Sequence, residues 1–202
     1  MASLVLSRTL IGTYCANIKV VVRFLLVTMC LVPGAAPLSG VTMQQLSMDD
    51  LAVKSTAIVQ GRVVDSYTVL TGPTVYTHYH VAVTDIWKGN AGSTVDVALP
   101  GGTASGIRQT YPGVPQLVIG RTYVIYLWTS PASGITMPTG FSQGIFSVSG
   151  DAAGAQMISR SASAELMLDT SGHPVVDQSV SMRLSDMKTH VTVALAKVGS
   201  AR

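Results

Sequence analysis

The run from Val75 to Trp87 (VYTHYHVAVTDIW) constrains this chain most, because its apolar and polar residues alternate with period two. Val75, Thr77, Tyr79, Val81 and Val83 form one set, and Tyr76, His78, His80, Ala82 and Thr84 form the other. A strand sends successive side chains to opposite faces, whereas a helix repeats every 3.6 residues. The spacing therefore predicts a half-buried strand with the odd set inward. Lys88-Gly89-Asn90-Ala91-Gly92 turns the chain, and Thr94 to Leu99 returns with Val95, Val97 and Leu99 on one face. The two segments are expected to pair as an antiparallel hairpin.

Further strands are predicted on both sides. Ala57 to Leu70 places Val59, Val63, Tyr67 and Val69 on one parity, with Gly61 as a bulge. Gly72-Pro73 is a turn. Thr122 to Trp128 (TYVIYLW) is apolar on both parities, which fits a strand covered on two sides or closed into a barrel. Gly140 to Ser149 is one more strand, Gln156 to Ser159 and Glu165 to Leu168 are short ones, and Pro100 to Pro115 reads as a long Gly/Pro loop. Two helices frame this β region. Ser47 caps the first, with Asp50 answering at the third position and Leu46 stapling to Leu51. Ser185 caps the last, where Met187, Val191, Leu195 and Val198 recur at helical spacing.

The net positive charge and both thiols lie at the amino terminus. Of 13 Lys plus Arg, only Arg8, Lys19 and Arg23 precede Val41, which leaves ten basic groups against ten acidic ones and a neutral remainder. Both cysteines, Cys15 and Cys30, fall there too, so the rest of the chain has no thiol for a disulfide, a zinc site or nucleophilic catalysis. Lys19 and Arg23 lead into Phe24 to Val32 (FLLVTMCLV), followed by Pro33-Gly34-Ala35-Ala36-Pro37. Basic residues, a short apolar core and small residues in this order are the parts of an export signal. Nine residues of helix rise about 14 Å against a hydrocarbon core of about 30 Å, too short to span. Residues 1–40 are expected to be a signal peptide, with an uncleaved signal anchor as the alternative, and the product to be periplasmic or extracellular without a stable membrane span. Residues 41–202 then form a single domain with its barrel core at about 56–149 and a hairpin and terminal helix at 150–202. About 160 residues suffice to bury one core.

Candidate chemistry is sparse. His78 and His80 share a strand face, and Asp96 on the partner strand is a third candidate for one metal ion, set against two solvent-facing imidazoles. Ser185-x-x-Lys188 matches the start of a serine acyl-transfer motif without its companions. Ser105, in Gly102-Thr103-Ala104-Ser105-Gly106, is one place off a nucleophile elbow. Asp49 and Asp50 suit the positive end of a helix. There is no phosphate-binding glycine loop, no dinucleotide fingerprint and no basic stripe, so neither a cofactor nor nucleic acid is expected.

The segments KSTAIVQGRVV (54–64), VYTHYHVAVTDIWKGNAGSTVDVALPGG (75–102), GVPQLVIGRTYVIYL (113–127) and Gln143-Gly144-Ile145-Phe146 resemble exported bacterial proteins with small β-barrels, broadly similar to OB-fold and netrin or metalloproteinase-inhibitor domains. The likeness covers about residues 44–149 and rests on strand and turn motifs. It implies a mainly β fold: a small antiparallel five-stranded barrel with a short amino-terminal helix, an additional hairpin and a carboxy-terminal helix. Inhibitor domains of that fold use a free amino-terminal cysteine, which the expected mature chain lacks, so no functional residue transfers. The expected function is an exported, non-catalytic binding module that recognises protein or glycan. Its binding surface is the outward strand face or the 100–115 loop, with Tyr76, His78, His80 and Tyr111 as binding residues. Trp128 is a further surface or core aromatic. The alternative is a secreted hydrolase using Ser105 or Ser185, or a metal site at His78 and His80.

Overall fold

A computed structural model describes residues 42–163 and 165–200, so the expected export signal lies outside the described residues. The chain runs β1 (Thr42–Gln44), α1 (Met48–Lys54), β2 (Ala57–Thr71), β3 (Thr74–Lys88), β4 (Thr94–Pro100), β5 (Gly102–Ala104), β6 (Ile107–Gln109), β7 (Thr122–Thr129) and β8 (Thr136–Pro138). After a 3-10 turn at Phe141–Gly144 come β9 (Ile145–Gly150), β10 (Gln156–Arg160), β11 (Leu166–Leu168), β12 (Pro174–Val175), β13 (Val180–Arg183) and α2 (Leu184–Ser200). Among the described residues no helix is long and apolar enough to cross a membrane.

The mainly β expectation holds, but a closed five-stranded barrel does not form. One eight-stranded sheet runs in the order β13-β10-β9-β7-β2-β3-β4, with β8 also paired to β7. Its ladders are antiparallel throughout. β8 comes up beside β4, yet no ladder joins the two, so the sheet curls without closing. The segment expected as a separate hairpin instead lengthens this sheet, because β10 pairs with β9 on one side and β13 on the other. β11 leaves it and forms a three-stranded sheet with β1 and β12.

The two apolar parities of β7 explain why an open sheet suffices. Tyr123, Ile125 and Leu127 join Val59, Val63, Val81, Val97 and Leu99 in the core inside the curl. Val124 and Tyr126 point the other way, into a second core with Ile58, Phe146 and Ile158 that α1 and α2 cover through Leu51, Met187, Val191 and Ala194. A sheet buried on both faces needs no closure to hide its apolar residues.

The first helix begins as its sequence dictates. Ser47 Oγ accepts the Asp50 amide at 3.0 Å while Asp50 Oδ2 accepts the Ser47 amide at 3.2 Å, a complete capping box. Leu46 and Leu51 belong to one cluster. Lys88 closes the other end by donating to the Ala52 and Val53 carbonyls at 2.8 and 2.9 Å. Burial pulls that ammonium below its ordinary pKa. α2 starts at Leu184, which puts Ser185 inside the first turn rather than at the cap. Its buried stripe is Met187, Val191 and Ala194, and Val198 is exposed.

Candidate functional site

The register of β2 against β3 shifts three times, between Ile58 and Val59, between Gln60 and Gly61, and between Val63 and Asp65. Between Gln60 and Gly61 the register slips because β3 carries Thr84 as an extra residue. Gly61 sits opposite, where a Cβ would lie 2.6 Å from Val81 Cγ1 and 2.7 Å from the Ala82 carbonyl oxygen. The last slip makes Val64 the extra residue, since Val63 pairs with Val81 and Asp65 with His80. One extra residue exchanges the faces of everything beyond it. Tyr67 and Val69, expected inward with Val59 and Val63, therefore turn outward and are exposed.

Tyr67 thereby lands opposite His78. The two rings stack at 4.8 Å with an interplanar angle of 17°. Asp96, directly across from His80, holds both of them. Its Oδ2 accepts the Tyr67 hydroxyl at 3.2 Å and lies 2.8 Å from His78 Nδ1. Burial and then the Asp96 charge push the Tyr67 phenol above its ordinary pKa. Tyr76 meets the edge of His78 at 6.3 Å, and His80 lies 5.3 Å from Tyr67 with Nδ1 3.9 Å from Asp65 Oδ2. Three of the four expected binding residues, Tyr76, His78 and His80, thus share one cluster, together with Asp96 on its expected outward parity. Tyr67 was missed. Gly61 marks one irregularity in the sequence, but nothing marks Val64.

Tyr111 is elsewhere. The 100–115 segment is not one long loop, since β5 and β6 pair across a turn at Ser105 and Gly106, both with positive φ, 51° and 75°. The conformation of Ser105 is thus that of a tight hairpin turn. Gln109 pins the hairpin by accepting the Val75 amide at 2.7 Å and donating to the Pro73 carbonyl at 2.8 Å. Tyr111 donates to the same Gln109 Oε1 at 3.2 Å and, with Arg108 and Thr103, lines a cavity of about 220 Å³. Trp128 is partly exposed and pairs with Met137 of β8.

The arrangement around His78 holds its polar groups in place. Asp96 fixes the imidazole, as the carboxylate of an acid–base pair does. Among the described residues no serine, threonine or cysteine hydrogen-bonds His78, and no group of three His, Cys, Asp or Glu is placed to hold a metal ion. In the Ser185-x-x-Lys188 segment, Lys188 is 2.5 Å from Asp85 Oδ2 and Ser185 Oγ is 3.2 Å from Asp186. The amine that motif needs as a proton acceptor is engaged in an ion pair. What the outward face offers instead is aromatic area, imidazole nitrogens and the carboxylates of Asp96 and Asp65 on a rigid sheet. No protein-family model, curated protein or solved structure matches the chain.

Proposed function

We propose that this chain is an exported, non-catalytic binding module, and that the outward face of β2, β3 and β4 around His78 takes a protein or glycan ligand. The observation that carries this reading is the shared Asp96 carboxylate. By holding Tyr67 and His78 together it fixes the ring stack before any ligand arrives. Contacts ordered in advance spare a ligand the entropy of ordering them. The cavity at Arg108 and Tyr111 is a second recognition point on the same reading, favoured by its concave shape.

Peptide and glycan arrays probed with the exported chain test this. A ligand class should be retained whose affinity falls at least tenfold in Tyr67→Ala and in His78→Ala, with unchanged thermal unfolding. A stoichiometric adduct of a serine-reactive phosphonate on Ser105 or Ser185 would replace this reading with the hydrolase one.

A further inference from the structure

Threonines hold the β5–β6 hairpin against β2 and β3. Thr68 Oγ1 donates to the Thr103 carbonyl at 2.7 Å, and Thr77 Oγ1 to the Gly101 carbonyl at 2.8 Å. Gly102, at φ +125°, permits this approach, since a Cβ there would lie 2.7 Å from Thr77 Oγ1 and 3.0 Å from Thr68 Cγ2. Thr103 and Arg108 are partners across the hairpin ladder, so their side chains share one face. Both line the cavity of about 220 Å³, whose remaining wall comes from residues 110–116, the start of β3 and the end of β4.

Arg108 is the only charged side chain in that wall. Every arginine hydrogen bond and ion pair among the described residues belongs to Arg160, so the five N–H donors of Arg108 are left for a ligand. Glu165 packs against Gly113 without joining the wall. A guanidinium fork matches a carboxylate in two-pronged fashion. One positive charge balances a carboxylate, whereas a phosphate monoester carries about −1.5 to −2. With no acid in the wall, an ammonium group brought in by the same ligand would be desolvated and unpaired. That disfavours a free amino acid.

The neutral part of the wall has two characters. Thr103, Thr110 and Gln116 both donate and accept, as sugar hydroxyls do. Tyr111 turns its hydroxyl to Gln109 at 3.2 Å, which leaves its ring, with Val114 and Pro115, as an apolar side for the C–H face of a sugar. The volume lies below the range of about 300–1,000 Å³ that drug-sized ligands fill, so it admits one ring rather than a chain.

We propose that the cavity beside the β5–β6 hairpin binds one hexuronate residue of an acidic polysaccharide, with the Arg108 guanidinium on its carboxylate and Tyr111 against its ring. This rests on the binding-module reading and names the ligand class of its second recognition point.

Ligand-observed NMR with trimers of galacturonate, glucuronate and mannuronate, each beside its methyl ester, tests this. At least one uronate trimer is expected to bind. Esterification, which removes the charge and keeps the ring, should weaken that binding at least tenfold, and Arg108→Gln should do the same. The ester comparison leaves the protein untouched and decides the matter if the variant misfolds. Equal binding of acid and ester, or of Arg108→Gln and wild type, overturns the proposal. Uronate binding lost in Tyr67→Ala but kept in Arg108→Gln moves the ligand to the His78 face, which overturns the cavity assignment and keeps the broader reading. A short peptide whose free carboxy terminus binds at Arg108 more tightly than any uronate assigns the cavity to a chain end and overturns the sugar. No binding of any trimer overturns this proposal alone, since the broader reading is decided separately by arrays that depend on Tyr67 and His78.

Discussion

Replacing Asp177 by alanine should be among the most damaging single changes to this fold. Asp177 lies between β12 and β13, with its side chain 3% exposed against 11% for its partner Arg160 at the end of β10. Its carboxylate receives Arg160 Nη1 at 2.5 Å, Arg160 Nη2 at 3.0 Å and the Ser163 amide at 2.8 Å. The guanidinium also donates to the Gln178 carbonyl at 3.1 Å and lies 6.0 Å from the Phe146 ring centre. Removing one partner of a buried pair costs about 3–5 kcal/mol, because the other charge stays desolvated and unpaired. Gln178 still satisfies part of the guanidinium, so the lower end applies, about 3 kcal/mol. Asp177→Asn keeps the shape and one acceptor and should cost about 2 kcal/mol, the scale of a hydrogen bond to a charged group. Arg160→Met with Asp177→Leu should cost less than Asp177→Ala, since no charge is then stranded. Urea unfolding followed by Trp87 and Trp128 fluorescence reads these differences. At a slope of about 2 kcal/mol/M the midpoint falls by about 1.5 M. The pH dependence has a definite sign. Burial alone would raise the Asp177 pKa, but the bonds from Arg160 and Ser163 and the Arg160 charge outweigh it and hold the carboxyl below its ordinary value. A depressed folded-state pKa contributes stability above the unfolded value of about 3.9 that is lost as pH falls through the folded one. The variant should therefore lose less stability than the wild type on acidification below about pH 4. A loss under about 1 kcal/mol, or a double variant weaker than the single one, would refute the buried-pair argument.

Three other outcomes follow from local geometry. Tyr126 is fully buried with no partner for its hydroxyl among the described residues, and burial drives its phenol far upward. Tyr126→Phe should stabilise the fold by about 1 kcal/mol in calorimetry, and a comparable loss would mean that the hydroxyl is satisfied by a buried water. Gly89 has φ +74°, and a Cβ there would lie 2.3 Å from the Thr56 carbonyl oxygen, whereas Gly72 at φ +58° faces open space. Gly72→Ala should cost about 1 kcal/mol for its left-handed backbone, and Gly89→Ala at least about 3 kcal/mol, so equal costs would contradict the clash. Ser47→Ala removes half of the capping box on α1 and should cost about 1 kcal/mol in urea unfolding.

Much of the outward face around His78 was legible because it depends on parity within one strand. Period two placed Tyr76, His78 and His80 together, and the hairpin placed Asp96 beside them. Tyr67 was hidden by the extra residue at Val64, a shift created by how β2 meets β3 rather than by any turn-forming residue. The 100–115 segment was misread for a different reason. Its glycines and prolines announce irregular backbone, but Ser105-Gly106 also satisfies the two positive φ values of a tight hairpin turn. Tyr111, expected as a binding residue on the 100–115 loop, is held by Gln109 at a cavity beside the β5–β6 hairpin.

By itself the sequence determined the local elements: the strand periods, the capping box at Ser47, Met187 and Val191 on the buried face of the last helix, and β7 as a strand apolar on both parities. Each follows from residues close together in the chain, where sterics and hydrogen bonding act over one turn or one strand. Whether the sheet closes was decided only by the tertiary structure. Closure needs β4 to find a partner ladder, and that depends on the register and twist summed over several strands and on β10 and β13 extending the far side. The two-sided core made closure unnecessary, since both apolar faces of the sheet are already covered.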